Sequence, residues 1–214
     1  MRTLLTAVLA PALLLAGCDA PQEQPADIGP QDAFWNALQT HCGNAYRGGL
    51  VSDDEVDADM QGAEMLMHVR TCDEERITIP FHIKPVDGEW NRSRTWVLTK
   101  TQPDGFRLKH DHRHEDGESD DVTMYGGDTA ESGTARTQSF PVDQESIDMF
   151  KQEGLDVSVT NVWSVTIDPA ETENAIFVYQ LERTVEGGAP EPRMFRVEFD
   201  LTSPIKPPPA PWGF

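Results

Sequence analysis

From residue 64 to residue 201 the apolar side chains return at every second position. Ile77, Ile79, Phe81 and Ile83 share one side of 76–83, with Thr78, Pro80 and His82 opposite. Met65, Met67 and Val69 alternate with Leu66, His68 and Arg70 in 64–71. The same spacing aligns Ala175, Phe177, Tyr179 and Leu181, and then Phe195, Val197, Phe199 and Leu201. A period of two places successive side chains on opposite faces of a strand, so each segment reads as a strand with one face in a core. Segments 94–101 and 106–114 flank the turn Gln102-Pro103-Asp104-Gly105, and Cys72-Asp73-Glu74-Glu75 is short enough to be a hairpin turn. Weaker strands are expected at 122–126 and 134–140. The longest is expected to carry Leu155, Val157, Val159, Asn161, Trp163, Val165 and Ile167 on one face.

Two helices frame this series. Asp32 is placed to cap the first, with Phe34, Trp35 and Leu38 on one stripe and Gly43 at its end. Asp143 is placed to cap the second, Val142 and Ile147 for a hydrophobic staple, and Gly154 for the stop. There is no alternating strand–helix rhythm, which excludes a doubly wound α/β fold. The expected fold is mainly β: one antiparallel meander of roughly eight to ten strands. A sheet that wide must curl or close, because open edges invite aggregation, so a barrel over 31–203 comes first and a sandwich second.

The first residues carry an address. Met1 and Arg2 precede an apolar run from Leu4 to Leu15, too short to span a bilayer and interrupted by Pro11. The run ends in Leu15-Ala16-Gly17-Cys18, which resembles the lipobox of bacterial lipoprotein precursors. That resemblance implies a signal peptide over 1–17, cleavage before Cys18, lipid on that cysteine and a membrane anchor facing the periplasm. Asp19 resembles the inner-membrane retention signal of enterobacterial lipoproteins, with the outer membrane as the other address. Residues 18–30, with Pro21, Pro25 and Pro30, read as a tether. With Cys18 lipidated, Cys42 and Cys72 remain, either as a disulfide or as two free thiols. The short first helix, the meander and the late helix together resemble the calycin group of lipocalin-like barrels, although the lipocalin Gly-x-Trp hallmark is absent.

Charge narrows the partners. Lys and Arg number 17 against 37 Asp and Glu, for a formal charge of −20, which argues against nucleic acid. Asp53, Asp54, Glu55, Asp57 and Asp59 read as a solvated acidic loop that lacks the spacing of an EF-hand. The end of the chain, from Pro204 through Pro207-Pro208-Pro209 to Trp212 and Phe214, cannot join a sheet as polyproline II. Its aromatics either pack back on the barrel or dock an envelope partner.

One constellation carries chemistry. His110, His112 and His114 occupy alternate positions after Phe106 and Leu108, so His110 should point inward with them. Two of the three, with Glu118 or His82, could hold a divalent metal. All three cannot meet one ion, because the outer pair lie about 13 Å apart on a straight strand. The run resembles the start of the metallo-hydrolase H-x-H-x-D-H signature, with His114 where Asp belongs, and the cupin pattern through His112, His114 and Glu118 with both glycine spacings off by one. The other reading is a solvated strand end beside the acids of 115–121. No G-x-S-x-G, H-E-x-x-H, C-x-x-C, P-loop or G-x-G-x-x-G occurs. The expectation is a lipid-anchored, non-enzymatic module that takes a small hydrophobic ligand or an envelope protein, with Asn161 as an internal polar handle. The alternative is a metal-binding protein or metal-dependent enzyme built on the histidine strand.

Overall fold

A computed structural model describes residues 28–214. The expected signal peptide, Cys18 and most of the tether lie outside the described residues. The rest is mainly β, a nearly closed antiparallel barrel of the calycin-like kind with two short helices. The chain enters as α1 (Pro30–Gln39), opened by Pro30 in the first turn rather than capped by Asp32. A proline is at home there because the first-turn N–H has no helical partner. Phe34, Trp35, Ala37 and Leu38 are its buried stripe, and Trp35 stacks on Phe106 at 5.4 Å, plugging one end of the barrel.

The wall follows in sequence order: β1 (Ala45–Leu50), β2 (Glu64–His68), β4 (Arg76–Lys84) with the two-residue β3 (Thr71–Cys72) as its hairpin partner, β5 (Asn91–Thr101), β6 (Gly105–His112) and β7 (Tyr125–Asp128). On the other side β8 (Thr137–Pro141) pairs with β9 (Asn161–Ile167), β9 with β10 (Ile176–Arg183), and β10 with β11 (Arg193–Asp200). β11 then pairs with β1, joining the two halves. β1 has no counterpart among the expected strands, because Ala-Tyr-Arg-Gly-Gly-Leu shows no clean alternation. Gly48 is nevertheless what the ladder needs. A Cβ on Gly48 would sit inside the Glu198 carbonyl and the Phe199 ring, so only glycine lets β1 approach β11.

β7 and β8 form no ladder. The seam is covered by α2 (Gln144–Gln152), capped as expected by Asp143, whose side chain accepts from the Ser146 N–H at 2.8 Å. Asp143 N–H donates to the Gly126 carbonyl at 2.9 Å, and the Ser146 hydroxyl accepts from Gly126 N–H at 2.8 Å, so the free edge of β7 is satisfied by the helix start. Lys109 reaches across to Asp143 and Glu145 at 2.8 and 3.1 Å. Burial would push the Asp143 carboxyl up, but hydrogen bonds from Lys109 and Ser146 outweigh it and hold the group below its usual range.

Other expectations are corrected as well. Residues 155–159 are not strand: Leu155 N–H bonds back to Phe150 and Ser158 N–H to Leu155, so the chain leaving α2 is spent on a 3-10 turn (Asp156–Ser158) before β9 starts at Asn161. The strand expected at 122–126 is shifted to Tyr125–Asp128. Asp57, expected in solvent, is buried within a 3-10 turn (Glu55–Met60) that lies over β11.

Cys42 and Cys72 form a disulfide across a separation of 30 residues, tying the turn after α1 to β3. Closing a loop of that length is worth ~3–4 kcal/mol in the chain-entropy account. The C-terminal segment lies along the barrel. Ile205 N–H bonds the Ala45 carbonyl at 2.8 Å, so the proline-rich stretch does add one bridge to the sheet, and Trp212 N–H bonds the Arg92 carbonyl at 3.1 Å. The Phe214 ring faces the guanidinium groups of Arg113 and Arg70. Under this segment lies His82, on the outer face of β4 yet only 1% exposed, with its Nε2 unpartnered.

Burial, with Arg92 and His68 nearby, lowers the His82 imidazole from 6.5 to about 4. The folded protein therefore binds this proton less readily than the unfolded chain, and stability is lost as pH falls from about 6.5 toward about 4. His82→Leu should keep about 2 kcal/mol more of its neutral-pH stability at pH 5 than the parent does, read from urea unfolding at pH 7 and pH 5. Equal acid losses in the two proteins would contradict this burial.

Candidate functional site

Ladder register decides what stands at the open end of the barrel, opposite α1. Along β10 the inward residues Phe177, Tyr179 and Leu181 are followed by Arg183, paired with Asn161 of β9 on one side and Arg193 of β11 on the other. On the facing wall the inward side of β5 runs from Leu98 through Trp96 to Arg94, which pairs with His112 of β6. The lower layers are filled by buried Ile77, Ile79, Leu98, Leu108, Val165 and Val197. At the last inward position the wall turns polar on both sides, and the packing opens.

The result is a cavity of about 210 Å³. Its floor and walls are Trp96, Trp163, Tyr125, Tyr179, Phe81 and Phe195, and its rim is Arg94, His112, Asn161, Arg183 and Arg193. Met60 of the Glu55–Met60 turn, Phe150 of α2 and Leu155 beyond it also border it, so segments outside the strands help shape the mouth. Trp96 stacks on Tyr179 at 4.5 Å and on Phe81 at 4.7 Å, which fixes one aromatic wall.

A chain of polar contacts crosses the aromatic lining. His110 Nδ1 lies 3.0 Å from the Tyr125 carbonyl, which can only accept, so Nδ1 carries the proton. His110 Nε2 therefore accepts from the Tyr179 hydroxyl at 2.8 Å. The Tyr125 hydroxyl meets His112 Nε2 at 3.1 Å. Burial lowers the His110 imidazole to about 3 and, with Arg94 alongside, that of His112 to about 4. Burial pushes the Tyr125 phenol up to about 12 and that of Tyr179 well above its ordinary value. Near neutrality all four groups are uncharged, and the charge in the cavity is carried by arginine.

The histidine strand divides. His110 and His112 face the cavity as the alternation predicts, but both nitrogens of His110 are engaged by protein partners. β6 ends at His112; His114 and Glu118 lie in an exposed loop, joined by the His114 N–H to the Glu118 carbonyl at 2.9 Å. His82 is on the outer face, away from the cavity. Among the described residues, no three His, Cys, Asp or Glu side chains stand together as a metal-ligand set. Asn161 borders the cavity, and its Oδ1 accepts from Arg183 Nε at 3.0 Å.

Arg94, Arg183, Arg193 and Tyr125 did not figure in the sequence-based set. The signal was present. Stepping two positions beyond Trp96, Leu181 and Phe195 on the inward face lands on Arg94, Arg183 and Arg193. Compared with known proteins, the chain matches no family model and no curated protein sequence, so the chemistry of the site rests on its own residues.

Arg193 is paired with the buried Asp57, whose other oxygen has no partner. Burial raises the Asp57 carboxyl, and the Arg193 guanidinium opposes that without cancelling it. Asp57→Ala should therefore destabilise the protein by ~3 kcal/mol, because it strands a largely buried guanidinium. The double variant Asp57→Ala/Arg193→Met should recover most of that loss, which a chemical-denaturation double-mutant cycle measures.

Proposed function

We propose that this protein is a lipid-anchored envelope module, not an enzyme, that holds a small hydrophobic ligand in the aromatic cavity at the mouth of its barrel. The observation that carries this reading is the cavity itself: a barrel packed solid through its lower layers opens into about 210 Å³ lined by tryptophan, tyrosine and phenylalanine. A cavity of about 150 Å³ accepts benzene, so this one suits a body of one or two rings. Binding is favoured over acid–base catalysis because the two cavity histidines stay neutral far below pH 7, well away from the near-neutral pKa that suits a general acid or base, and can orient a ligand as hydrogen-bonding groups. The anchor is supported by the lipobox Leu15-Ala16-Gly17-Cys18 and the Pro-containing stretch after it. Acyl chains contribute ~0.8 kcal/mol per buried CH₂, so stable attachment takes more than one chain.

Two measurements test the two halves of the reading. Cys18→Ser should abolish incorporation of labelled palmitate and move the protein from the membrane to the soluble fraction of the envelope; retention of label would refute the anchor. For the cavity, toluene and p-cresol serve as neutral probes in thermal unfolding. A ligand at about 100 times its Kd stabilises by about 2.7 kcal/mol, about 5–10 °C in Tm for a chain of this size. Leu181→Trp, which fills the cavity, should remove that shift. Constant Tm with both probes counts against a binding cavity.

A further inference from the structure

Resting on that reading of the cavity, we propose that its natural ligand is a small arylalkanoic acid, with the ring on the Trp96/Tyr179 wall and the carboxylate between Arg94 and Arg183.

The argument begins with charge. Arg183 is only 6% exposed, and its guanidinium meets Asn161 Oδ1 and, at 3.4 Å, Ser158 Oγ. Arg94 uses one nitrogen on Asn91 Oδ1 and Ser93 Oγ, at 3.3 and 3.2 Å. Among the described residues neither arginine forms a salt bridge, whereas Arg193 beside them does. Buried cations are ordinarily paired, because a guanidinium that loses water without gaining a carboxylate is disfavoured. Asp54, Asp57 and Glu191 lie near enough to favour the charge on Arg183, yet burial and the neighbouring Arg193 outweigh them, and its pKa is lowered. In a chain of net charge −20, two cations without carboxylate partners stand at the mouth of this aromatic cavity. An anionic group on the ligand supplies what the protein withholds.

Size and sign select the class. The space is too small for a nucleotide or a long acyl chain. A doubly charged phosphate would meet stronger repulsion from the acidic exterior and be harder to dehydrate than a carboxylate. A carboxylate takes a planar, two-pronged hydrogen-bond pair from guanidinium, and a short linker lets its ring lie on the stacked aromatic wall. Asn161, Ser158 and the Tyr125–His112 pair border the same space as polar groups that can steady the head.

Isothermal titration of 3-phenylpropionate against 3-phenylpropanamide tests this, since the two differ only at the head. The acid should bind at least about tenfold tighter than the amide, in line with a hydrogen bond to a charged group. Arg183→Met and Arg94→Met should each bring the affinity of the acid down to that of the amide and leave the amide unchanged. Arg183→Met removes an unpaired buried charge but also the donor to Asn161 Oδ1, so its folding is checked by its unfolding transition, and Arg94→Met provides the same affinity test at a more open position. Equal binding of acid and amide would overturn the carboxylate proposal while leaving the cavity as a neutral-ligand site. Tighter binding of phenyl phosphate than of the acid would overturn the choice of carboxylate. Failure of acid and amide alike would remove the ligand cavity and this proposal together.

Discussion

Everything in this structure depends on the inward register holding around a closing sheet. Because side chains alternate with a period of two, a slip of one residue in any ladder would turn Trp96, Tyr179 or Trp163 out and their charged neighbours in. The register is pinned at the junction of β11 with β1, where Gly48 allows the backbones to meet, and at the opposite seam, where α2 stands in for a missing ladder. A Cβ on Gly127 would collide with the Pro141 carbonyl, so the seam is also held close by the absence of a side chain. These two places are conformationally demanding, and between them the hydrophobic interior fills in the ordinary way.

The mouth is where that rule is set aside. The same pairing that stacks Leu181 beside Trp163 and Phe195 places, one inward step further, Arg183 beside Asn161 and Arg193. Three apolar residues there would close the barrel with more burial and no like-charge repulsion. Instead the chain buries guanidinium groups, commits Asp57 to only one of them, and leaves hydrogen-bonding atoms of Asp57 and Arg193 without partners. Packing optimised for stability does not produce this arrangement, and such departures concentrate where a protein binds something.

The fold was legible in the sequence wherever alternation was long and uninterrupted. β4, β5, β6, β10 and β11 stand close to where the pattern puts them, the Asp143 cap follows from local chemistry, and the structure decides for the disulfide between Cys42 and Cys72 over two free thiols. β1 was hidden because its two glycines erase the pattern, and glycine there answers to a strand 150 residues away. Residues 155–159 misled because Leu155, Val157 and Val159 alternate well, while the backbone hydrogen bonds that turn them into a 3-10 segment come from the end of α2. Of the site, His110, His112 and Asn161 were legible as polar residues in apolar series. The arginines continue the inward alternation but were not legible as cavity residues, since charged residues at strand ends normally reach solvent; the β10–β11 pairing and the closing of the barrel are what bring them to one cavity.

If the cavity takes the proposed ligand, the acidic exterior and the cationic mouth act as parts of one selection rule. At physiological salt, surface charges are screened beyond about 8 Å, so the excess acid acts on an approaching ion only near the surface. Inside a partly desolvated cavity, screening is weaker and a guanidinium acts more strongly on what reaches it. A multiply charged anion meets repulsion before it gains that attraction, and a cation meets attraction outside and repulsion within. A neutral aromatic body passes the exterior but leaves Arg183 unpaired. Under the proposed reading, a single negative charge on an apolar body suits both regions: it is easier to dehydrate than a multiply charged anion, its ring would replace water against Trp96 and Tyr179, and its head would meet the arginines.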